Sequence, residues 1–179
     1  MCGNDRSWCG SKYCKHSPRR ECSSLRLWGV GLNVIQGARL SGAQPIIAVD
    51  SDPAKLEIAK QFGATHGIAA GDTALEQIKS LTSGRGVDYA FDAVGNPAVQ
   101  EAAYETVRRG GALVVVGVAP SGLVTRYAGL DLHVHEKRII GSFFGSTNPH
   151  YEFPRLIELY RTGKLLLDEL ISKRYRLED

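Results

Sequence analysis

The sequence predicts an α/β domain of three layers, a doubly wound parallel sheet with helices on both faces, and three observations carry that prediction. From Gly29 onward, short apolar β-rich runs alternate with amphipathic helical stretches five or six times, as expected for strands joined by crossover helices. The most continuous apolar run, Ala112 to Val118, reads as a central strand buried on both faces. Gly29-Val30-Gly31 opens an apolar helix and Asp50 closes the next strand about twenty residues later, the spacing of a dinucleotide-binding βαβ unit.

Taken in order, a helix from Val30 to Gly42 leads to a strand from Pro45 to Asp50. Pro53 suits a first helical turn, where its missing N–H costs nothing, and Lys55 to Phe62 completes that helix. Gly63-Ala64-Thr65-His66 leads to a short strand, and Asp72 is the expected N-cap of a helix ending at Leu81. Val87 to Val94 is the next strand; Gly95-Asn96-Pro97 breaks it before a helix through Arg108. After the run from Ala112 to Val118 a long loop is expected to about Glu136, then a strand from Arg138 to Phe144 and a helix from Phe153 to Gly163. No element is legible beyond it.

A length of 179 residues suits one domain and leaves no room for a two-domain enzyme. No stretch of eighteen apolar residues and no charged-then-apolar leader is present, so a cytoplasmic protein is expected, without a membrane partner. The formal charge is +3, but Arg6, Lys12, Lys15, Arg19, Arg20 and Arg26 all precede the first helix. Cys2, Cys9, Cys14, Cys22 and both tryptophans, Trp8 and Trp28, share that head. Residues 1–24 are therefore expected to be a disordered head, and 25–179 the folded domain. The cysteines contain no C-x-x-C pair, which argues against a metal knuckle. Basic residues without a recognisable module argue against a nucleic-acid partner.

An intact glycine fingerprint would have glycine where Arg26 and Trp28 stand. The genetic code offers an explanation. With suitable synonymous codons, Cys2 to Trp28 reread one base later give A-V-T-T-G-H-G-A-V-L-N-T-A-N-I-R-P-G-A-S-V-A-V-F-G-C-G, without a stop. Joined to Gly29-Val30-Gly31 this ends G-C-G-G-V-G. Trp8 and Trp28 each have a single codon, and both shift to glycine whatever the first base of the next codon, because the shifted codon is G-G-x. A frame change near codon 28 would separate an out-of-frame head from an in-frame body; codons incompatible with the shifted reading would end the idea.

The strings G-V-G-L-N-V-I-Q-G-A, I-I-A-V-D-S-D-P-A-K-L, F-G-A-T-H, V-D-Y-A-F-D-A-V-G, G-G-A-L-V-V-V-G-V and I-I-G-S-F-F-G-S stand in order. Through them residues 29–179 closely resemble the Rossmann-type coenzyme domain of the medium-chain, zinc-type alcohol dehydrogenases. The resemblance implies that Gly29, Val30 and Gly31 receive the pyrophosphate at a helix N-terminus. It implies that Asp50 accepts the adenosine-ribose hydroxyls and repels a 2′-phosphate, so NAD over NADP, with Lys55 reaching the same ribose. Val94 and Gly95, with Gly117 and Val118, would flank the two halves of the cofactor, and Ser142, Phe143 and Phe144 would hold the nicotinamide carboxamide. Taken singly, Asp50 also reads as a helix cap, Gly117 as a strand end and the two phenylalanines as core.

In this family the reaction uses a zinc ion held by two cysteines and a histidine of a separate catalytic domain. No residues here offer that set at the right spacing, so the catalytic domain is expected to be absent and the chain truncated at both ends, an inactive fragment that binds NAD weakly. The resemblance also implies a homodimer joined through the strand 138–144, where Ile139, Ile140, Phe143 and Phe144 make an apolar edge. The alternative is a non-catalytic domain that dimerises or binds a nucleotide. A methyltransferase shares the glycine turn and the acid after the second strand, but F-D-A-V-G and V-V-V-G-V favour the dehydrogenase.

Overall fold

The computed structural model describes residues 21–25 and 29–177. The expected disorder of the head and the side chains of Arg26 and Trp28 lie outside the described residues. Strands β1 (Cys22–Leu25), β2 (Ile46–Asp50), β3 (His66–Ala69), β4 (Val87–Asp92), β5 (Val107–Val115) and β6 (Arg138–Gly141) alternate with helices α1 (Gly29–Leu40), α2 (Pro53–Phe62), α3 (Ala74–Leu81), α4 (Pro97–Thr106), α5 (Gly129–Val134) and α6 (Pro149–Arg161). All neighbours are parallel in the order β3-β2-β1-β4-β5-β6. The chain winds outward from β1 to one edge, crosses back to β4 and winds to the other. This is the predicted doubly wound sheet.

Alternate residues of β2 enter different cores, which is what places helices on both faces. Ile46 and Ala48 join Leu32, Ile35, Ala59 and Phe62 on the face of α1 and α2. Ile47 and Val49 join Ile78, Ala103, Tyr104 and Leu113 on the face of α3 and α4. Every residue of β2 is buried, as a central parallel strand requires. A fully buried side chain such as Ile35, Ile47 or Phe62 contributes about 1.5 to 3 kcal/mol.

Three helices start with the same device. Asp52, Asn96 and Asn148 cap α2, α4 and α6 by accepting from Ala54 N (2.9 Å), Ala98 N (2.9 Å) and His150 N (3.1 Å), and each is followed by a proline. The cap satisfies an orphan donor and the proline presets the helical φ. At the far end, the buried Gln36 side chain receives Leu166 N (2.7 Å) and donates to Leu166 O (3.0 Å), fastening the C-terminal segment to α1.

Several boundaries differ from expectation. The sheet begins at Cys22, inside the segment assigned to the head, because C-S-S-L pairs with β2 on one side and β4 on the other. Asp72 does not cap α3; Thr73 precedes it without a side-chain cap bond, and Gly71 O receives Ala74 N (3.0 Å). The long loop contains the short helix α5, none of whose residues is buried. Helix α6 starts at Pro149, not Phe153, since the Asn148 cap outranks the later Pro154 as a start signal. Strand β6 ends at Gly141, not Phe144. Phe144 (φ 47°) and Gly145 (φ 67°) take left-handed backbone angles, which end the extended run in a turn over Phe144–Ser146. A final turn, Asp168–Leu170, follows α6.

Candidate functional site

All twelve predicted site residues lie at the carboxyl rim of the sheet or on the turns leaving it. Gly29, Val30 and Gly31 follow β1; Asp50 ends β2 and Lys55 stands one turn into α2; Val94 and Gly95 follow β4; Gly117 and Val118 follow β5; Ser142, Phe143 and Phe144 follow β6. The rim at β1 and β4 is where the winding changes direction, the usual crevice for a ligand in an open parallel sheet.

Asp50 is 3% exposed, and its Oδ1 accepts from Asp52 N at 3.0 Å while Lys55 Nζ stands 3.9 Å away. The ammonium neutralises a carboxylate that burial would otherwise penalise. Gly29 and Val30 open α1 on the exposed side, where first-turn N–H groups and the helix dipole favour an anion.

The turns after β4 and β5 cross each other. Gly95 has φ +80°, and a β-carbon there would overlap the Val118 carbonyl; one on Gly117 would overlap Gly95 N and Val94 C. Asp92, fully buried at the end of β4, sets this crossing. Its Oδ1 accepts from Val94 N (2.8 Å) and its two oxygens from Gly95 N (3.2 and 3.1 Å), while Oδ2 also accepts from Gln100 Nε2 (2.9 Å). Its carbonyl takes Val116 N and Gly117 N, both at 2.9 Å. Gln100 in turn receives Thr125 Oγ1 (2.7 Å) on Oε1, with Tyr127 OH at 3.4 Å. Burial raises the Tyr127 phenol above its ordinary value, which keeps it a neutral donor. Neither Asp92 nor Gln100 was among the sequence candidates. The signal was present: an acid ending an apolar strand before small residues is placed to accept from the turn it begins.

Five of the twelve, Val30, Val118, Ser142, Phe143 and Phe144, line one cavity of about 490 Å³ beside the start of α1. Its walls are mainly apolar, with Val34, Val116, Phe153 and Leu156; Asn33, Thr147 and Glu152 supply further polar atoms. Phe143 and Phe144 meet edge to face at 4.4 Å and are 76% and 80% exposed, so they are rim and not core. Ser142 is buried, and its N–H donates to Val115 O at 2.8 Å. Asp50 and Lys55 stand apart from this cavity on the β2 side, so the rim offers an anionic seat and an apolar seat with a helix N-terminus between them. Chemically, the carboxylate can accept from hydroxyls, the helix N-terminus favours an anion and the apolar cavity suits a flat ring. Among the described residues no three His, Cys, Asp or Glu side chains are grouped to hold a metal; these residues do not fit a zinc site.

Comparison with known proteins adds family evidence to this geometry. Residues 29–162 match the family model described as zinc-binding dehydrogenase. The NDMA-dependent alcohol dehydrogenase of Amycolatopsis methanolica is 37% identical over 182 aligned positions, covering 99% of this chain and 49% of that protein. The crystal structure of benzyl alcohol dehydrogenase from Acinetobacter calcoaceticus superposes with a TM-score of 0.84 at 32% identity, over 90% of this chain and 46% of the other. A Sinorhizobium meliloti protein solved bound to NADP superposes with a TM-score of 0.79 at 28% identity, over 89% and 46%. The chain thus spans about half the length of the relatives it matches.

Proposed function

This chain belongs to the zinc-binding dehydrogenase family, and on that premise we propose that residues 25–179, together with the strand formed by 22–25, are an NAD-binding domain of alcohol dehydrogenase type. The observation that carries the reading is the placement of all twelve residues along one rim, five of them around one apolar cavity. In this reading Gly29, Val30 and Gly31 meet the pyrophosphate. Asp50 and Lys55 meet the adenosine ribose, and the cavity of Val118 and Ser142 to Phe144 takes the nicotinamide. The cofactor would supply a hydride acceptor; the chain's own part is to bind it, orient its ring and keep water from one face. NAD is preferred to NADP because a 2′-phosphate would meet the carboxylate of Asp50.

That binding is expected to be weak, because Arg26 and Trp28 stand in the sequence where an intact fingerprint has glycine. Calorimetric titration with NAD and NADP tests the reading: measurable NAD binding with weaker NADP binding supports it, and equal affinities would overturn the role given to Asp50. Alcohol oxidation belongs to the whole dehydrogenase. The 179-residue chain is expected to show none, with or without added zinc, because its described residues group no ligands beside the cavity; zinc-dependent NADH formation by the purified chain would refute this. No described helix is long and apolar enough to cross a membrane, and we place the protein in the cytoplasm with neither membrane nor nucleic acid as partner.

A second reading, association through the sheet edge, rests on β6. It is the outermost strand and carries Ile139 at 37% exposure, and an unpaired apolar edge gains by pairing with a second copy. The contact strand is then Arg138–Gly141, shorter than the 138–144 stretch of the sequence reading. Sedimentation at tens of micromolar decides it; a monomer would sink the homodimer.

A further inference from the structure

Three buried side-chain oxygens lack a hydrogen-bond partner among the described residues: Glu21 Oε2, Tyr104 OH and Glu152 Oε2. Glu21 has Arg85 on its other oxygen (2.8 Å), and the Tyr104 ring is covered by Tyr127 and by Lys137 Nζ. Glu152 differs. It is 6% exposed, in the first turns of α6, and it lines the cavity that holds Val30, Val118, Phe143 and Phe144. The chain elsewhere gives a buried carboxylate ample donors, as at Asp92. A buried acid without one is costly and points to a partner that arrives from outside the fold.

Apolar walls with one acidic group suit a flat ring that brings positive charge or an N–H donor. We propose that Glu152 contacts the nicotinamide end of the dinucleotide and biases the site toward the oxidised cofactor. This rests on the dinucleotide reading above. The oxidised ring carries a positive charge and the reduced ring none, while both carry the same carboxamide and the same ADP-ribose. A carboxylate facing the ring therefore attracts one redox form selectively, and at an effective dielectric of about 20 a charge several ångströms away changes affinity about tenfold to a hundredfold.

The test is calorimetric titration of the full chain with oxidised NAD, NADH and ADP-ribose. It is repeated for Glu152→Gln and Glu152→Leu, each also in the Arg26→Gly, Trp28→Gly background so that weak binding hides nothing. In Glu152→Gln, affinity for oxidised NAD should fall about tenfold or more, with NADH and ADP-ribose changed little. Glu152→Leu should show the same loss while the melting temperature of the ligand-free chain holds or rises, because an unpaired buried acid has gone; should that variant not fold, the glutamine variant decides alone. An unchanged ratio of oxidised to reduced affinity, or equal weakening of all three ligands, overturns the inference and leaves the dinucleotide reading standing. Failure of all three to bind the unaltered chain and the double-glycine background overturns both.

Discussion

In the second half of the sheet, Gly95 and Gly117 lie so close that a side chain on either would overlap the other turn's backbone, whereas in the first half a β-carbon added to Gly29 meets no atom of the described residues within 4 Å. The two turns look alike in sequence, but their glycines answer different demands. At Gly95 and Gly117 the fold itself leaves no room. At Gly29 the fold leaves space, so the demand for glycine comes from whatever must approach the helix N-terminus. A side chain at Gly29 should therefore leave the sheet intact and weaken binding.

The largest effect is expected where that comparison is most one-sided. Replacing both Arg26 and Trp28 with glycine should tighten NAD binding by about two to four orders of magnitude, if two charge-assisted backbone contacts are regained at roughly 1.5 to 3 kcal/mol each. Arg26 complicates the case, because its guanidinium can itself pair with a phosphate; equal or weaker calorimetric binding would mean that the present turn is a working variant. Next, Gly117→Ala should destabilise the domain by about 3 kcal/mol, since backbone must move to admit the carbon. The melting temperature should then fall by roughly 6 to 12 °C, and an unchanged value would remove the claim that the crossing is sterically closed.

Asp92→Asn should cost about 2 kcal/mol in denaturant unfolding, because an amide nitrogen cannot accept from the donors that the carboxylate now satisfies. A neutral result would mean that the crossing holds without that anchor. The smallest change in stability belongs to Gly29→Ala: a gain of about 0.5 kcal/mol or none, accompanied by weaker NAD binding. Loss of stability there would break the contrast between the two turns.

The body of the fold was legible because its signals are local. β2 and β5 are apolar along most of their length, and Asp52-Pro53 and Asn96-Pro97 announce their helices directly. What escaped depends on partners or on backbone angles. C-S-S-L has no strand signal of its own and is a strand because both neighbours pair with it. It also occupies the four positions that the shifted frame reads as V-A-V-F. The end of β6 is set by φ at Phe144, which no hydrophobic pattern encodes. The twelve rim residues were singled out by the family resemblance, and Asp92 could have been through its place at a strand end. Glu152 was not, since an acid in a first helical turn is ordinary and only the cavity makes it unusual.

The pairing of Gln36 with Leu166 bears on how the chain assembles as it leaves the ribosome. The two residues are 130 positions apart, and at about 5 to 20 residues per second that separation takes on the order of ten seconds to synthesise. Until Leu166 is made, the amide of Gln36 has only Asn33 of its own helix (3.3 Å) and water to bond, so the tie between α1 and the C-terminal segment forms late. The loop-closure entropy grows only slowly with such a length, so the delay is one of order and not of feasibility. The fastening of α1 by Leu166 therefore follows the synthesis of every described strand of the sheet.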